Sequence, residues 1–441
     1  MSAPAPARAC AFTVLRRVFE QGAYADVALR VGADMQELDA RDRALAMRLA
    51  YGAIQRRGTL DHLIARLAER PPQRLDAPLL AALRLGLYEL LYLGGAPDRA
   101  VVADAVELAK GSGRGHGLVN AVMRRASRDG AALLAELGED TPARAAVMHS
   151  HPEWIARLWW ETLGPSEARA LLACDNEPAE LALRVNTLVA DPDVLARELP
   201  VAAHRDPDIP EALVLDGALD LHGLPLWRSG ALIAQSRAAM LPVRLLAPEP
   251  GERVLDLCAA PGGKTTHLAA LMQGRGELVA VERNPHRAAR LGEAVRRLHV
   301  GNVRVELADA TEPRRAQAPF DRVLVDPPCS GLGTLQARPD LRWRVQAEQL
   351  PQLVQTQAAI LAAGAEVLRP GGVLVYSTCT ISPAENEQQI AAFLQSRPDF
   401  ALDELGAWPA LGTRVMDGRA LLTLPHRDRT AGFFLARLRR R

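Results

Sequence analysis

Arg253-Val-Leu-Asp256-Leu-Cys258-Ala259-Ala260-Pro261-Gly262-Gly263-Lys264-Thr265 reads as a strand, a tight glycine turn and the start of a helix. Glycine is needed where backbone must approach a ligand closely, and a helix start offers free N–H groups to bind it. Two nucleotide-binding motifs are excluded here. A Walker A loop requires Gly six residues before the Lys, where Cys258 stands, and the turn lacks the G-x-G-x-x-G of a dinucleotide fold. Twenty residues after Gly262, Glu282 closes the next strand in Val279-Ala-Val-Glu282. An acid at that place can accept hydrogen bonds from both ribose hydroxyls of a nucleoside cofactor. Asp309, after a third strand, is placed to meet an adenine amino group. The three features in this order predict a nucleoside-cofactor site.

Outward from this stretch, strands are expected at Arg253–Leu257, Glu277–Val281, Val303–Leu307, Arg322–Val325 and Gly372–Tyr376, with helical segments between them. That alternation predicts a Rossmann-like α/β domain over 236–441, its mostly parallel sheet covered by helices on both faces. Residues 141–235 change character. Helical stretches at Trp154–Thr162 and Glu167–Cys174 precede an alternating run, Leu181 to Thr187, and Pro207, Pro210 and Gly217 then interrupt the chain. A small α+β subdomain fits. Residues 1–140 read as helical throughout, with Val14, Leu15, Val18 and Phe19, then Leu60, Leu63, Ile64 and Leu67, at helix spacing. Lys110 to His116 reads as a basic turn before another helix. The chain is therefore multidomain: an all-α bundle, a small α+β subdomain and an α/β domain.

Charge excludes a global polycation. The formal net charge is +1, and residues 1–140 carry 19 Lys and Arg against 17 Asp and Glu, so any nucleic-acid contact must come from local sites. Arg56-Arg57 and Arg124-Arg125 are local candidates for phosphate, and a solvated helix face is the plainer reading. Cys10, Cys174, Cys258, Cys329 and Cys379 make neither an even set nor a CxxC pair, so neither a disulfide framework nor a metal site is expected. No secretory leader and no membrane span are read. A cytoplasmic monomer is expected.

Two sets of motifs carry resemblances. Tyr51-Gly-Ala-Ile54 with Arg56, Leu83-Arg84-Leu-Gly86-Leu-Tyr88-Glu-Leu90 and Val119-Asn120-Ala-Val-Met-Arg124, in this order, resemble the NusB family of antitermination factors over about the first 130 residues. That resemblance implies an RNA- or protein-docking module. Leu255-Asp256 through Thr265, Asp326-Pro327-Pro328-Cys329-Ser330-Gly331, Arg338-Pro339-Asp340-Leu341-Arg342-Trp343 and Tyr376-Ser377-Thr378-Cys379-Thr380 with Glu385-Asn386 are similar to the NOL1/NOP2/Sun family of RNA cytosine-C5 methyltransferases, from roughly Arg184 to Phe434. Ser236 and Glu282 depart from that pattern, the first standing where relatives often carry Asp and the second where many have Asp. The first change puts the role of that side chain in doubt; the second keeps the charge.

The resemblance implies S-adenosyl-L-methionine as cofactor, held by Cys258, Ala259, Ala260, Pro261, Gly262, Gly263, Lys264, Glu282, Asp309 and Asp326. The chemistry explains the residue types. Carbon 5 of cytosine is a weak nucleophile, and a thiolate added at carbon 6 converts the ring to an enamine that can take the methyl. Cys329 and Cys379 both sit at ends of predicted strands, and a Pro-Cys nucleophile as in DNA cytosine methylases would nominate Cys329. The resemblance nominates Cys379 as nucleophile and Cys329 as the thiol that assists release. Asp326 is expected to hold the base, with Lys264 orienting the site or simply pairing with an acid. Cysteine at 329, in place of an aromatic residue, argues against methylation of an exocyclic amine. Arg338, Arg342 and Trp343 offer cations and an aromatic ring for phosphate contact and stacking on a looped or flipped RNA base. A NusB-like front on this catalytic domain implies 16S ribosomal RNA as substrate. A tRNA-directed enzyme of the same family and a silent assembly factor are the alternatives.

Overall fold

The computed structural model describes residues 4–111 and 114–441. These form two compact units: one runs to Pro178 and takes back Leu335–Val345, and the other comprises Ala179–Thr334 and Gln346–Arg441. The unit boundary at 178 falls inside the span 141–235.

The first unit is helical, from Pro6–Gln21 to Pro165–Cys174. Its helices start as the sequence directs. Asp39 and Thr141 cap by accepting from Asp42 N and Arg144 N, and Pro142 and Pro165 occupy first-turn positions where no N–H is needed. The apolar stripes predicted from Val14, Leu15, Leu60, Leu63 and Ile64 are fully buried in one core. Two residues of the NusB-like motifs meet there. A Cβ on Gly52 would lie 1.8 Å from the Tyr88 ring, so only glycine lets helix Ala40–Gln55 pass over Ala77–Tyr88. Arg84 in the same helix donates to both carboxylate oxygens of Asp61 at 2.7 and 2.8 Å. The Arg57 guanidinium lies 4.8 and 5.0 Å from the centres of the Phe19 and Trp343 rings. Of the basic turn at Lys110–His116, Ser112 and Gly113 lie outside the described residues.

The second unit contains two sheets. Strands β1 (Ala182–Val185), β2 (Ala203–Arg205), β3 (Ala212–Leu215) and β4 (Leu232–Ala234) form an antiparallel sheet in the order β2-β3-β1-β4. The larger sheet has a parallel half made of β5 (Arg253–Leu257), β6 (Glu277–Glu282), β7 (Val303–Leu307), β8 (Phe320–Val325) and β9 (Leu368–Thr378), in the order β7-β6-β5-β8-β9. Beyond β9, strands β10 (Phe400–Leu402), β11 (Thr413–Val415), β12 (Ala420–Leu422) and β13 (Phe434–Arg440) pair antiparallel, with β13 against β9.

The central strands are aliphatic runs buried on both faces, such as Leu278–Val281 and Val323–Val325. At the edge, β7 is half-exposed. All five strands expected from the sequence are present, in a Rossmann-like arrangement; the antiparallel half and the short strands β2 to β4 are additions to that expectation. Chain order reverses at β5, whose neighbours are β6 on one side and β8 on the other. Such a switch point opens a crevice at the carboxyl ends of the strands, where ligands bind.

Candidate active site

The predicted cofactor residues lie at those carboxyl ends. After β5 the chain turns through Cys258, in left-handed conformation, and Gly262 at φ 104°, and helix Gly263–Leu271 begins. A Cβ on Gly262 would come within 2.9 Å of Leu291, so the turn closes tightly only with glycine. The first-turn amides of the helix have no intrahelical acceptor and face forward as donors. Glu282 ends β6 and is 3% exposed; Oε1 accepts from Asn284 N at 2.9 Å, while Oε2 is buried without a hydrogen bond, 3.3 Å from Arg287. A buried acceptor left over in this way fits a ribose hydroxyl. Asp309 follows β7 and takes both bonds of Thr311, N–H at 2.9 Å and Oγ1 at 2.8 Å, on one oxygen. Those donors, the backbone one first, hold its carboxyl below the usual range. Ala259 and Ala260 are buried in the turn, and burial pushes the Cys258 thiol up to about 12, away from the reactive thiolate.

The sequence pointed to a local loop and missed what holds it. Arg184 of β1, 1% exposed, donates to the Gly263 carbonyl, to Thr266 Oγ1 at 2.8 Å and to Gln235 Oε1 at 2.7 Å. Burial lowers its pKa to about 9. Asp256 lies beneath the turn with Oδ2 bonded to Thr265 Oγ1 at 2.7 Å and Oδ1 without a partner; burial pushes its carboxyl up to about 7. Ser236, whose role was in doubt, caps helix Arg237–Leu246 by accepting from Ala239 N. Serine is among the residues that best cap a helix N-terminus.

Next to the cofactor turn, β8 and β9 end on the two cysteines. Cys329 Sγ and Cys379 Sγ are 3.4 Å apart, thiol against thiol and not a disulfide. That hydrogen bond, then burial, holds Cys329 well above the ordinary thiol range. Asp326, also at the end of β8, is held by Lys264 Nζ at 2.7 Å on one oxygen and by Ser377 Oγ at 2.8 Å on the other. Lys264 lies 5.1 Å from the centre of the Phe433 ring. Burial works against its charge, but Asp326 outweighs it and Cys379 adds to the effect, so the ammonium is held more firmly than in water. Of the two readings weighed for Lys264, the salt bridge to a neighbouring acid is present. Ser377 had no signal beyond its place in the motif.

The predicted RNA-contacting residues belong to the helical unit, and two of them need correction. Arg342 is 0% exposed and donates to Ser150 O at 3.1 Å, Asp175 O at 2.8 Å and Asn176 Oδ1 at 3.1 Å. Buried among carbonyl oxygens, with its one unpaired N–H, Nε, also buried, it cannot reach a phosphate at the surface. Trp343 is half-buried, gives its indole N–H to Ile54 O at 2.7 Å and packs on Gly58, so it is not a free stacking platform. Arg338 alone of the three is exposed.

A glycine turn after the first parallel strand, acids at the ends of the next strands and an antiparallel edge on a doubly wound sheet define a Rossmann-like methyltransferase. Comparison with known proteins makes the class specific. The model of the family "16S rRNA methyltransferase RsmB/F" matches residues 243–439, that of the NusB family residues 5–128, and that of the ferredoxin-like domain of RsmF/B-like methyltransferases residues 151–222. Proteins of Synechocystis sp. and Bacillus subtilis, each named "Probable ribosomal RNA small subunit methyltransferase B", are 36% and 34% identical over 98% of this chain and 99% and 98% of their own. The crystal structure of PH0851 superposes with a TM-score of 0.83 at 27% identity, covering all of both chains. The chain belongs to the RsmB/F family of methyltransferases, with a NusB-like N-terminal region.

Proposed function

We propose that this protein methylates carbon 5 of a cytosine in 16S ribosomal RNA through a covalent adduct on Cys379, using S-adenosyl-L-methionine. The observation that carries the reading is the thiol pair: two cysteines 3.4 Å apart at adjacent strand ends, beside a carboxylate oriented by Lys264 and Ser377. Amine methylation at this place would have no use for two thiols. The names of the full-length relatives favour small-subunit RNA over tRNA.

When bound, S-adenosyl-L-methionine supplies an electrophilic methyl group; the turn from Cys258 to Lys264, Glu282, Asp309 and Asp326 would hold it. Glu282 would accept from the ribose and Asp309 from the adenine amino group. Asp326 takes a hydrogen bond from the cytosine edge and keeps the ring in place while charge moves through it. Cys379 Sγ, as thiolate, would add to carbon 6 and push the ring electrons to carbon 5, which would take the methyl as the S–CH3 bond breaks and its electron pair stays on the sulfur of S-adenosylhomocysteine. Loss of the carbon-5 proton and cleavage of the Sγ–C6 bond then restore the ring and return the thiolate. Cys329 Sγ, after giving up its own proton, would accept the carbon-5 proton in that last step and so return to the thiol. The base must be unpaired or flipped to reach the thiol.

We assign the three spans 1–140, 141–235 and 236–441 to RNA or protein docking, RNA positioning and catalysis, in a cytoplasmic monomer with no metal. The test is incubation of the purified protein with 16S rRNA or tRNA and the methyl donor, followed by nucleoside mass spectrometry. The expected product is 5-methylcytidine in 16S rRNA. An N4-methylated base, or product in tRNA alone, overturns the reading.

A further inference from the structure

Beneath the thiols lies a carboxylate that takes no part in the methyl transfer. Glu385 is 0% exposed and sits in the turn after β9. It accepts from Ser330 N at 2.8 Å, Ser330 Oγ at 2.5 Å, Gln357 Nε2 at 3.0 Å and Thr380 Oγ1 at 3.3 Å. Ser330 follows Cys329, and Thr380 follows Cys379. The two hydroxyls also touch each other at 2.7 Å. Tyr376 OH donates to the Glu385 carbonyl at 2.7 Å, and Asn386 Nδ2 donates to Thr380 O at 3.0 Å, so the turn carrying the carboxylate is itself fixed. Gln357, from helix Leu350–Val367, anchors the carboxylate to the layer that covers the sheet. A buried anion is stable only where donors replace its water, and four donors converge on this one.

We propose that Glu385 is a positioning residue: its carboxylate ties the loop after β8 to the loop after β9 and so sets the distance between Cys329 and Cys379. The inference rests on the covalent reading for its consequence in the reaction, but the distance itself can be measured without RNA. Three of the four bonds run to Ser330 and Thr380, the immediate neighbours of the thiols. Loosening them moves the helper thiol away from the nucleophile before it disturbs the cofactor turn, whose holders are Arg184 and Gln235.

The experiment uses the full chain with Glu385→Gln, which keeps the shape but puts an NH2 group among donors, and with Ser330→Ala, which removes one donor and leaves the carboxylate. Dibromobimane bridges thiols held close together, and peptide mass mapping identifies the Cys329–Cys379 bridge. Bridging should slow about tenfold or more in Glu385→Gln and less in Ser330→Ala, on the scale expected for a misplacement of about 1 Å or less. Affinity for S-adenosyl-L-methionine should stay within about twofold of the parent, which a general loss of structure would not allow. With RNA and methyl donor, Glu385→Gln should accumulate a denaturant-stable protein–RNA adduct, because release by Cys329 is slowed. If Glu385→Gln does not fold, Ser330→Ala carries the same measurements. Bridging at the parental rate in the folded variants overturns the proposal. Slower bridging with no adduct in any variant, Cys329→Ala included, would leave the positioning role standing and sink the covalent reading instead.

Discussion

Lys264 and Arg342 are both basic residues in short motifs at helix starts, and both are withdrawn from water. What surrounds them differs. Lys264 faces a carboxylate, an aromatic ring and a thiol, groups that belong to a site and can exchange one partner for another. Arg342 faces carbonyl oxygens from Ser150 and Asp175 and the Asn176 amide, and burial lowers its pKa to about 10. A cation among carbonyls closes chain ends and loops; a cation beside an acid and a thiol tunes chemistry. The sequence shows a basic side chain near polar neighbours in both places, and only the burial of the backbone around Arg342 separates them.

The sharpest way to press this contrast is at the thiols. Cys379→Ala should abolish both methylation and adduct, whereas Cys329→Ala should stall as an adduct visible by denaturing electrophoresis. An adduct in Cys379→Ala that is missing from Cys329→Ala would exchange their roles. On the structural side of the comparison, Arg342→Ala should destabilise the helical unit by about 3–5 kcal/mol, because it strips donors from buried acceptors. Urea unfolding followed by the helical signal reads this, and a loss under about 1 kcal/mol would show that Arg342 is not a tie. Binding of S-adenosyl-L-methionine should survive that change below the unfolding transition.

Glu282→Ala should weaken cofactor binding by about 1.5–3 kcal/mol, since a charged acceptor is lost. Calorimetry giving the parental affinity would remove Glu282 from the site. A pH series separates the two units further. Asp256 titrates near pH 7 in the folded protein and near 4 when unfolded, so between those values only the folded state holds the proton. Stability therefore falls as pH rises from about 4 to about 7. Asp256→Asn should flatten the part of that slope belonging to the α/β unit. Asp175, also pushed up to about 7 by burial, leaves its own share in the helical unit. Urea midpoints at pH 5 and 8 that differ as much in Asp256→Asn as in the parent would contradict this. The smallest effect is expected from Arg338→Ala. Stability should change by less than about 0.5 kcal/mol, and RNA binding should lose about one unit of salt dependence if this exposed cation meets phosphate.

How much the sequence revealed depends on where the information lies along the chain. The cofactor turn is legible because strand, glycines and helix start are contiguous, and β5 and β7 fall at the expected residues. β13 was missed because Phe434-Leu-Ala-Arg-Leu-Arg-Arg440 is rich in arginine, yet its aliphatic residues pack in the sheet while the guanidinium groups reach out to Asp399 and Asp403. β10, β11 and β12 are three residues each, too short for any periodicity to show. Arg184 and Gly263 are 79 residues apart, and nothing in either neighbourhood announces the other. The thiol pair was legible as two motifs, but its contact depends on β8 and β9 being neighbours in the sheet.

The return of Leu335–Val345 to the helical unit has a consequence for synthesis. A ribosome making this chain finishes Pro178 while the arginine that will fill the carbonyl cluster at Ser150 and Asp175 is still 164 residues away. At about 5–20 residues per second, that is a wait of roughly 8–33 s. During it the nascent helical unit must stand with those oxygens bonded to water and with Trp343 missing from beside Gly58. The last rivet of the first-made part is delivered from inside the second, so the helical unit matures only after most of the parallel sheet has been translated.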